Sequence, residues 1–531
     1  MKDESGRLKV KGRKGNFSFA LFPFIHHPSA FRLHPSSLIL SSDFPFIPHP
    51  SASSFPLMTP SEQAHALRAA LPLNGFFVNK PWRITPNPLI IPEKLYEQIV
   101  ELGQRLHVFY KACNLLYRQS VAGKQPAWIH RYLEAGKPVN IIELAREKMW
   151  KNDLPCVIRP DLMLMEDGFV VTELDSVPGG IGLTSWLQIT YTQTTNSSCK
   201  TTSSSKFQSA MLDGFLGALK SEISLKKPQN AVTQSEIVRI AIVVSEEARD
   251  YRPEMEWLAK ESSRFEVRGS RLFVCDPKDL EYQDSGVYLR EERLDGIYRF
   301  FELFDLPNIP NTEKLIAAVK NGLVKITPPL KPQLEEKLLF ALFWFPQLIE
   351  FWKCELGDRY LQDLRKIIPF TWLLDPLPLP PHAVIPHLNI HDWQQLAKFS
   401  QKQRDLILKI SGFSDRAWGS RGVFLGSDMS SDQWKETVNR ALNDFEHHPH
   451  ILQCFAKAQL VEHPWYDFEK ETLVTMKGRV RLCPYYFIEQ QQTSLGGILV
   501  TICPSDKKLI HGMQDAILTF ARCGEELHPK L

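Results

Sequence analysis

The sequence feature that most restricts the fold is a β-hairpin signal between Arg159 and Asp175. The segments "VIRPDLMLM" and "FVVTELD" flank Glu166-Asp167-Gly168, and a three-residue loop that ends in glycine is a common hairpin connection. This loop pairs position 165 with 169, and therefore Asp161 with Glu173 and Arg159 with Asp175. Because side chains alternate between the two faces of a strand, the predicted pairing places these four charged side chains on one face.

The predicted pairing depends on a single residue of register, because a two-residue loop would separate Asp161 from Glu173 and Asp175. Like charges that face each other across a strand pair are destabilising, so the crowding needs a cause. Carboxylates with Cβ atoms roughly 5 Å apart suit a hard cation such as Mg²⁺, and Arg159 beside them suits a phosphate. A solvated edge hairpin with an Arg–Asp pair is the alternative interpretation.

The overall composition is that of an ordinary globular protein and argues against several classes of function. The 531 residues are 43% hydrophobic and 23% charged, a length that suits about three or four domains. A net charge of +3 gives no basis for binding nucleic acid or an anionic membrane. No apolar run approaches the ~20 residues that span a bilayer, and "KLLFALFWFPQLIEFW" is predicted to be a buried helix.

Cysteine usage and segment composition predict the cellular location and the domain organisation. None of the nine cysteines forms a CxxC pair, which favours reduced thiols in a cytoplasmic protein over a zinc site or a disulfide framework. Residues 1–57 are rich in Pro, Ser and Phe and are predicted to be disordered, with native translation hypothesised to start at Met58. The remaining predicted segments are a mainly helical region (58–150), the hairpin with a flexible polar insertion at 190–206 (151–235), a strand–helix alternation typical of an α/β layer (236–330), and a C-terminal region (331–531).

A lysine and a glycine-rich loop form a second candidate site in the C-terminal region. Lys409 ends the apolar segment "DLILK" and precedes "ISGFSDRAWGSRG", which contains Gly412, Gly419 and Gly422. Such a loop can cradle phosphate with its backbone N–H groups, and a lysine on a strand adds a point charge. A glycine-rich hairpin with a solvated lysine is an equally good interpretation of this segment alone. Lys337 opens a predicted helix and is weaker still without context.

Taken together, R-x-D, E-x-D with a nearby proline, a lysine at a helix start, and a lysine with a Gly/Arg loop resemble the circularly permuted ATP-grasp enzymes related to glutathionylspermidine synthase. The order of the motifs, with the carboxylate hairpin before the nucleotide lysines, is that of the permuted branch. The resemblance implies an α/β (mixed α+β) chain with a circularly permuted ATP-grasp fold. The other parts of the implied fold are an inserted pre-ATP-grasp-like α/β layer at 236–330, a helical N-terminal region, and nucleotide-binding lobes at 331–531.

The resemblance also implies roles for individual residues. Asp161, Glu173 and Asp175 would bind Mg²⁺, and Arg159 would lie beside the transferred phosphate. The implied ATP-binding residues are Lys337, Lys409, the lid residues Gly419, Ser420, Arg421 and Gly422, and the adenine contacts Gln453 and Phe455. The sequence departs from the family at Asp175, where asparagine is usual, and a nucleotide arginine expected near the C-terminus is not located.

The function implied is an ATP-dependent carboxylate–amine ligase, with ATP and two Mg²⁺ ions as cofactors and an acyl phosphate as intermediate. Its partners would be a small carboxylate and a small amine, with no nucleic acid or membrane, and its oligomeric state is left open. Arg249, Arg252 and Arg299 follow or end strands of the α/β layer and are candidates for binding a substrate carboxylate, with surface salt bridges as the alternative. Two other functions stay open: a non-catalytic, degenerate ATP-grasp nucleotide-binding protein, and an ATP-grasp phosphotransferase.

Overall fold

The computed structural model describes residues 58–72, 76, 82–194, 210–224, 237–264, 269–417, 419, 421–510 and 515–524. The chain divides into two units, Met1–Phe55 and Pro56–Leu531, and every described residue lies in the second. The predicted disorder of 1–57 falls outside the described residues. Within the described part, no helix is both long and apolar enough to cross a bilayer.

The helices begin where the sequence supplies a helix start. Thr59 caps the first helix in a reciprocal arrangement with Glu62, and Ser430 does the same for the last helix with Gln433, which satisfies backbone N–H groups that have no partner within the helix. The helices are α1 (Pro60–Ala69), α2 (Glu93–Val121), α3 (Ala127–Glu134), α4 (Val139–Arg146), α5 (Ile181–Thr194), α6 (Ala210–Ser224), α7 (Arg252–Arg264), α8 (Thr312–Lys320), α9 (Leu338–Trp344), α10 (Ile349–Ile367) and α11 (Ser431–Asn443).

The described strands form four sheets of different character. The strands are β1 (Arg83–Ile84), β2 (Leu89–Ile91), β3 (Val157–Met165), β4 (Gly168–Asp175), β5 (Val238–Val244), β6 (Ser270–Cys275), β7 (Glu281–Gln283), β8 (Gly286–Leu289), β9 (Glu292–Arg293), β10 (Gly296–Phe300), β11 (Lys325–Thr327), β12 (Thr371–Leu373), β13 (Leu406–Ile410), β14 (Val423–Leu425), β15 (His450–Cys454), β16 (Leu460–Asp467), β17 (Thr472–Glu489), β18 (Gln492–Pro504) and β19 (Ile517–Cys523). The smallest sheet is the meander β7-β8-β9.

The largest sheet carries the predicted hairpin at one edge. Its order is β1-β19-β18-β17-β3-β4, with β16 also paired to β17 and β2 to β19. Helix α2 packs on this sheet through apolar residues at helical spacing, including Leu102, Leu106 and Phe109. At Gly103 the helix approaches so closely that an added Cβ would lie 2.5 Å from a ring atom of Tyr486.

The hairpin β3–β4 has the predicted pairing of the charged residues but reaches it by a different route. Asp161 pairs with Glu173 and Arg159 with Asp175, as expected. The turn, however, pairs Met165 with Gly168, and a register shift between Asp161 and Leu162 then leaves Thr172 as an extra residue on β4. The predicted pairing of 165 with 169 is therefore wrong, and a β-bulge at Thr172 restores the register that the turn alone would lose.

A parallel sheet and an antiparallel sheet complete the surroundings of the hairpin. The order β11-β10-β5-β6 is parallel throughout, so the carboxyl ends of its strands lie at one edge. The antiparallel sheet β12-β15-β13-β14 carries Lys409 on β13, and the glycine-rich loop joins β13 to β14 as predicted. Trp434 of α11 packs in the core beneath this antiparallel sheet.

Two predicted segments differ from the structure. The apolar stretch expected to be one buried helix is divided, because Pro346 follows the end of α9 and has no N–H to continue it. The polar tract at 190–206, expected to be a flexible insertion, begins inside α5, which extends to Thr194. The rest of that tract lies outside the described residues.

Candidate active site

A cavity of about 470 Å³ opens where the hairpin, the parallel sheet and the glycine-rich loop meet; it is called the hairpin cavity below. The largest sheet contributes Arg159, Asp161, Glu173, Asp175 and Arg481 to its wall. The end of the parallel sheet contributes Ser245, Glu247, Tyr251, Phe300 and Glu302, and the third side is formed by Lys337, Gly412, Phe413, Ala417 and Gly419. Ligand pockets of several hundred Å³ with few converging polar groups are typical of small-molecule sites.

Asp161 lies at the back of the cavity, between two arginines. Its Oδ2 accepts a hydrogen bond from Nη1 of Arg481 at 3.0 Å, and its Oδ1 lies 3.5 Å from Nη2 of Arg159. The thiol of Cys483 donates to Oδ1 at 3.4 Å. Although burial alone would raise it, the two guanidinium groups hold the pKa of Asp161 below its ordinary value.

Asp175 and Glu173 each bind a different cation. Asp175 Oδ2 accepts from Nη2 of Arg159 at 2.8 Å, and its Oδ1 accepts from the backbone N–H of Val177 at 2.9 Å. Burial raises the pKa of Asp175 despite this arginine. Glu173 Oε1 lies 2.6 Å from Nζ of Lys337. The three carboxylates of the hairpin are thus held by arginine or lysine.

The two predicted lysines connect the hairpin to the antiparallel sheet. Lys337 Nζ donates to the carbonyl of Ala417 in the glycine-rich loop at 2.8 Å, in addition to its contact with Glu173. Lys409 Nζ donates to the carbonyl of Thr172 at 2.9 Å and to Oε1 of Gln453 at 3.1 Å. The acceptor carbonyl belongs to the bulged residue of β4. Burial lowers the pKa of Lys409 to about 8.

The glycine-rich loop contributes Gly412, Ala417 and Gly419 to the wall of the cavity. Gly419 has a φ of +63°, a backbone conformation that glycine adopts without strain. Arg421 Nη2 donates to Oε1 of Glu247 at 2.8 Å, which joins the loop to the segment that follows β5. Gly422 lies where an added Cβ would meet the carbonyl of Arg416 at 2.7 Å. Ser420, also predicted to belong to the lid, lies outside the described residues.

Of the two predicted adenine contacts, Gln453 contacts Lys409 and Phe455 lies at the other end of the strand pair, beside Asp405. Gln453 is buried on β15, where its Oε1 accepts from Lys409 and its Nε2 donates to Oγ1 of Thr371 at 3.0 Å. Phe455 is partly buried, and its backbone N–H donates to the carbonyl of Asp405 at 3.2 Å. Their role at a nucleotide stays a prediction.

The three arginines predicted to meet a substrate carboxylate are not among the described residues that line the hairpin cavity. Arg249 is exposed and pairs with Glu246 at 2.5 Å, and Arg252 is bound by Asp276. Arg299 is 1% exposed, donates to three backbone carbonyls and pairs with Glu335. All three have structural partners, because the layer's polar backbone and acidic side chains take up their N–H groups.

The wall that faces the hairpin from the parallel layer is acidic instead. Glu247, Glu302, Asp305 and Glu335 line it. Burial and the nearby Glu335 raise the pKa of Glu302 well above its ordinary value. Two of these carboxylates are bound by arginine, Glu247 by Arg421 and Glu335 by Arg299.

Arg481 is a site residue that the sequence analysis missed. It lies on β17, whose residues Arg481 and Leu482 pair with Met163 and Leu162 of β3. Its Nε is buried without a hydrogen-bond partner among the described residues, as is that of Arg159. The alternation of "RVRLC" could have indicated that Arg479 and Arg481 share a face, but only the sheet order brings β17 against the hairpin.

The hairpin supplies the type of ligand that Mg²⁺ prefers, but its carboxylates are not arranged around a metal position. Carboxylate oxygens are the ligands that Mg²⁺ prefers, and Asp161 pairs directly with Glu173. Within the described ranges, however, no group of three or more His, Cys, Asp or Glu side chains is positioned to hold a metal ion. The oxygens point instead to Arg159, Lys337 and Arg481.

Comparison with known proteins shows similarity at the level of the fold. No protein-family model and no curated protein match the sequence. A glutathione synthetase-like effector from Globodera pallida, solved in its apo form, has a TM-score of 0.54 at 12% identity, over 87% of this chain and 97% of that one. This similarity is one of overall fold and agrees with the mixed α/β architecture described above.

Two further solved structures have lower TM-scores. A putative gamma-glutamylcysteine synthetase from Methylobacillus flagellatus KT is 12% identical over 74% of this chain and 87% of that one, with a TM-score of 0.38. D-alanyl-alanine synthetase A from Vibrio cholerae O1 biovar eltor is 9% identical over 53% of this chain and 89% of that one, with a TM-score of 0.26.

Proposed function

We propose that the protein is an ATP- and Mg²⁺-dependent carboxylate–amine ligase that forms an amide through an acyl phosphate. The observation that carries the proposal is the convergence of the carboxylate hairpin, Arg159, Arg481 and Lys337 on one cavity, with Lys409 bound to the hairpin's bulge. The fold similarity to a glutathione synthetase-like protein supports it. The circular permutation is part of the proposal, supported by the position of the hairpin before both lysines in the chain.

The reaction would proceed in two displacements. A substrate carboxylate oxygen bonds to the γ-phosphorus of ATP as the bond to ADP breaks, and the amine nitrogen then bonds to the acyl carbon as phosphate leaves. Arg159 and Arg481 would neutralise the transferred phosphoryl group, and Lys337 and Lys409 would hold the nucleotide phosphates. Glu302 in its ionised form would take up the proton that the amine releases.

Asp161, Glu173 and Asp175 are the residues that would hold Mg²⁺, which when bound supplies positive charge to the phosphates. The carboxyl oxygens of Glu247, Glu302 and Glu335 would orient the amine by accepting hydrogen bonds from its N–H groups. Enclosure by the glycine-rich loop would keep water away from the acyl phosphate.

The proposal is tested by ADP release across pairs of amino acids, short peptides and polyamines with Mg²⁺ present. Asp161→Asn should lower turnover by about 100-fold or more because it removes a carboxylate that would hold Mg²⁺. Lys409→Ala and Arg481→Met should each do the same because they remove positive charge at the phosphates. Arg249→Met is the matched control, since it removes an exposed arginine outside the cavity, and should retain activity. Turnover that survives Asp161→Asn and Lys409→Ala together would refute the site.

A non-catalytic nucleotide-binding protein is the second candidate, and one observation favours it. The hairpin carboxylates already bind arginine or lysine, and no group of three ligands is arranged for a metal among the described residues. Under this alternative, nucleotide would bind with Mg²⁺ and be stabilised by Lys409, while no acid–amine pair would release ADP.

A further inference from the structure

A second cavity, of about 140 Å³, lies between helix α2, the end of helix α4 and the segment Lys331–Gln333; it is called the Gln333 cavity below. None of the described residues that line it also lines the hairpin cavity. At roughly 30 Å³ per water molecule, its volume corresponds to about four or five waters. It is therefore large enough for a compact polyatomic ion.

Gln333 is buried in the wall of this cavity with its amide unpaired. It is 2% exposed, and neither its Nε2 nor its Oε1 has a hydrogen-bond partner among the described residues. The indole N–H of Trp150, another buried residue of the wall, is likewise unpaired within the described part. Buried polar groups are nearly always satisfied, and an unmade bond is costly. Three N–H donors and one acceptor on two residues of the wall are thus unpaired among the described residues.

The charge around the cavity is positive. Lys331 is 2% exposed and held rigidly, because its Nζ donates to Oδ1 of Asn114 at 2.9 Å and to the carbonyl of Asp153 at 2.8 Å. Arg118, Lys148 and Lys151 also line the cavity.

Negative charge in the wall is largely taken up by other groups. Glu147 is the one carboxylate among the described lining residues, and it accepts a hydrogen bond from Lys320 at 2.8 Å. Arg146 is paired with Glu134. Lys148, Lys151 and Arg118 therefore give the cavity an excess of positive charge, which attracts an anion.

We propose that the Gln333 cavity binds a small oxyanion that also donates one hydrogen bond, with hydrogen phosphate as its simplest form. The oxyanion's unprotonated oxygens accept from the amide and indole N–H groups and neutralise the lysines. Its hydroxyl donates to the amide oxygen of Gln333, which no fully deprotonated anion can do. The same hydroxyl distinguishes hydrogen phosphate from sulfate, which has the same size and charge.

The test uses the full-length chain, with inorganic phosphate and sulfate as probes, titrated at pH 7.5 and constant ionic strength by calorimetry. Because phosphate is also expected in the hairpin cavity, the titrations use the Arg481→Met protein as background. We expect a single phosphate site in this background, at least tenfold weaker binding of sulfate, and at least tenfold weaker phosphate binding after Gln333→Met is added. Gln394→Met, at an exposed glutamine, is the matched control and should leave phosphate binding unchanged.

Thermal unfolding of Gln333→Met without phosphate provides the second readout. Methionine has nearly the shape of glutamine and no amide, so the apo variant should be at least as stable as the parent. Lower stability with unchanged phosphate binding would show that waters satisfy the amide and would overturn the proposal. Equal binding of sulfate, or no phosphate binding in the Arg481→Met background, would also overturn it. If Gln333→Met does not fold, Lys151→Gln replaces it, with the same tenfold loss expected.

Discussion

At the scale of single residues, burial and charge conflict at Lys409. The structure gives its ammonium two neutral acceptors, the Thr172 carbonyl and the Gln453 amide, which do not offset the loss of hydration. Its pKa therefore falls from 10.5 to about 8 because of burial. An incoming phosphate would supply the missing negative charge and raise the pKa again.

Nucleotide binding should therefore be coupled to proton uptake. At pH 8 roughly half a proton should be taken up per nucleotide, with more at pH 9 and little at pH 7, because only the deprotonated fraction of Lys409 can gain one. Calorimetry in buffers of different ionisation enthalpy measures this number. Lys409→Met should abolish the uptake, whereas Lys402→Met, at an exposed lysine, should not. Equal uptake in both variants would exclude Lys409 as the group that titrates.

The pKa of Glu254 is also shifted by burial, but upwards, and this predicts a pH dependence of stability. It is buried, accepts from the N–H groups of Gly180 and Gly182 through Oε1, and burial raises its pKa from 4.5 to about 7. The folded state thus holds this proton more tightly than the unfolded chain does. The contribution is fully present below pH 4.5 and is lost as the pH rises to 7.

Replacement of Glu254 by glutamine should remove this dependence while it keeps the acceptor oxygen. Denaturant unfolding should show equal stability of Glu254→Gln and the parent near pH 4.5. At pH 8 the variant should be more stable by up to about 3 kcal/mol, since each pKa unit corresponds to ~1.4 kcal/mol. A variant that is less stable at pH 8 would mean that the ionised carboxylate is favoured in the fold.

At the scale of elements, the hairpin shows what a sequence can and cannot predict. The alternation of "VIRPDLMLM" and "FVVTELD" predicts that the four charged residues share a face, and the structure confirms the pairs Asp161–Glu173 and Arg159–Asp175. The predicted register was counted from the wrong turn, however, and the pairs are correct only because the bulge shifts the register by one residue. The bulge at Thr172 has no local signature, because threonine is also common in regular strands. Arg481 could not be placed because it is more than 300 positions from the hairpin, and no spacing rule connects residues through sheet order.

The sequence likewise does not predict that Arg299 is buried and paired. Its strand, "GIYRF", predicts a buried element, but the partners of the guanidinium are carbonyls near Pro328 and Pro329 and the carboxylate of Glu335. These belong to a later segment of the chain. The predicted alternation of strands and helices in this layer, by contrast, follows from local periodicity and agrees with β5, α7, β6 and β10.

The glycine-rich loop provides the prediction at this scale. Bound nucleotide should slow tryptic cleavage after Arg416 and Arg421 by at least tenfold, because phosphates would fix the loop that Lys337 and Glu247 contact at its two ends. Cleavage after Lys470, whose side chain is 72% exposed in the turn between β16 and β17, is the internal control. Mass spectrometry of the fragments measures both rates. Equal protection of both sites would indicate global stabilisation instead of loop closure.

At the scale of the whole molecule, the largest sheet joins the two ends of the described chain. Strand β19 pairs antiparallel with β18 and parallel with both β1 and β2. Its residues Ile517, Leu518 and Phe520 are buried. The last strand is therefore required to complete the sheet on which the hairpin lies. A destabilising substitution in this strand should lower the stability of the entire fold.

Phe520→Ala tests this dependence. The substitution should lower the free energy of unfolding by about 3–5 kcal/mol, since it removes a buried ring that packs edge-on against Tyr191 with centroids 5.2 Å apart. Circular dichroism and tryptophan fluorescence should report the loss in one shared transition. Cys523→Ala, at an exposed position of the same strand, should change the free energy by less than about 0.5 kcal/mol. Separate transitions for the two probes would show that the sheet's edge unfolds on its own.

The bulge at Thr172 also bears on how relatives of this chain can be found. If Thr172 were absent, Leu162–Val171 and Asp161–Glu173 would simply become consecutive pairs, and the same charged groups would still face each other. A hairpin one residue shorter could thus present an identical set of acids and arginine. Distant homologues are then better sought by which residues sit opposite one another than by a fixed number of positions between them, a criterion under which alignment gaps within this motif are no obstacle.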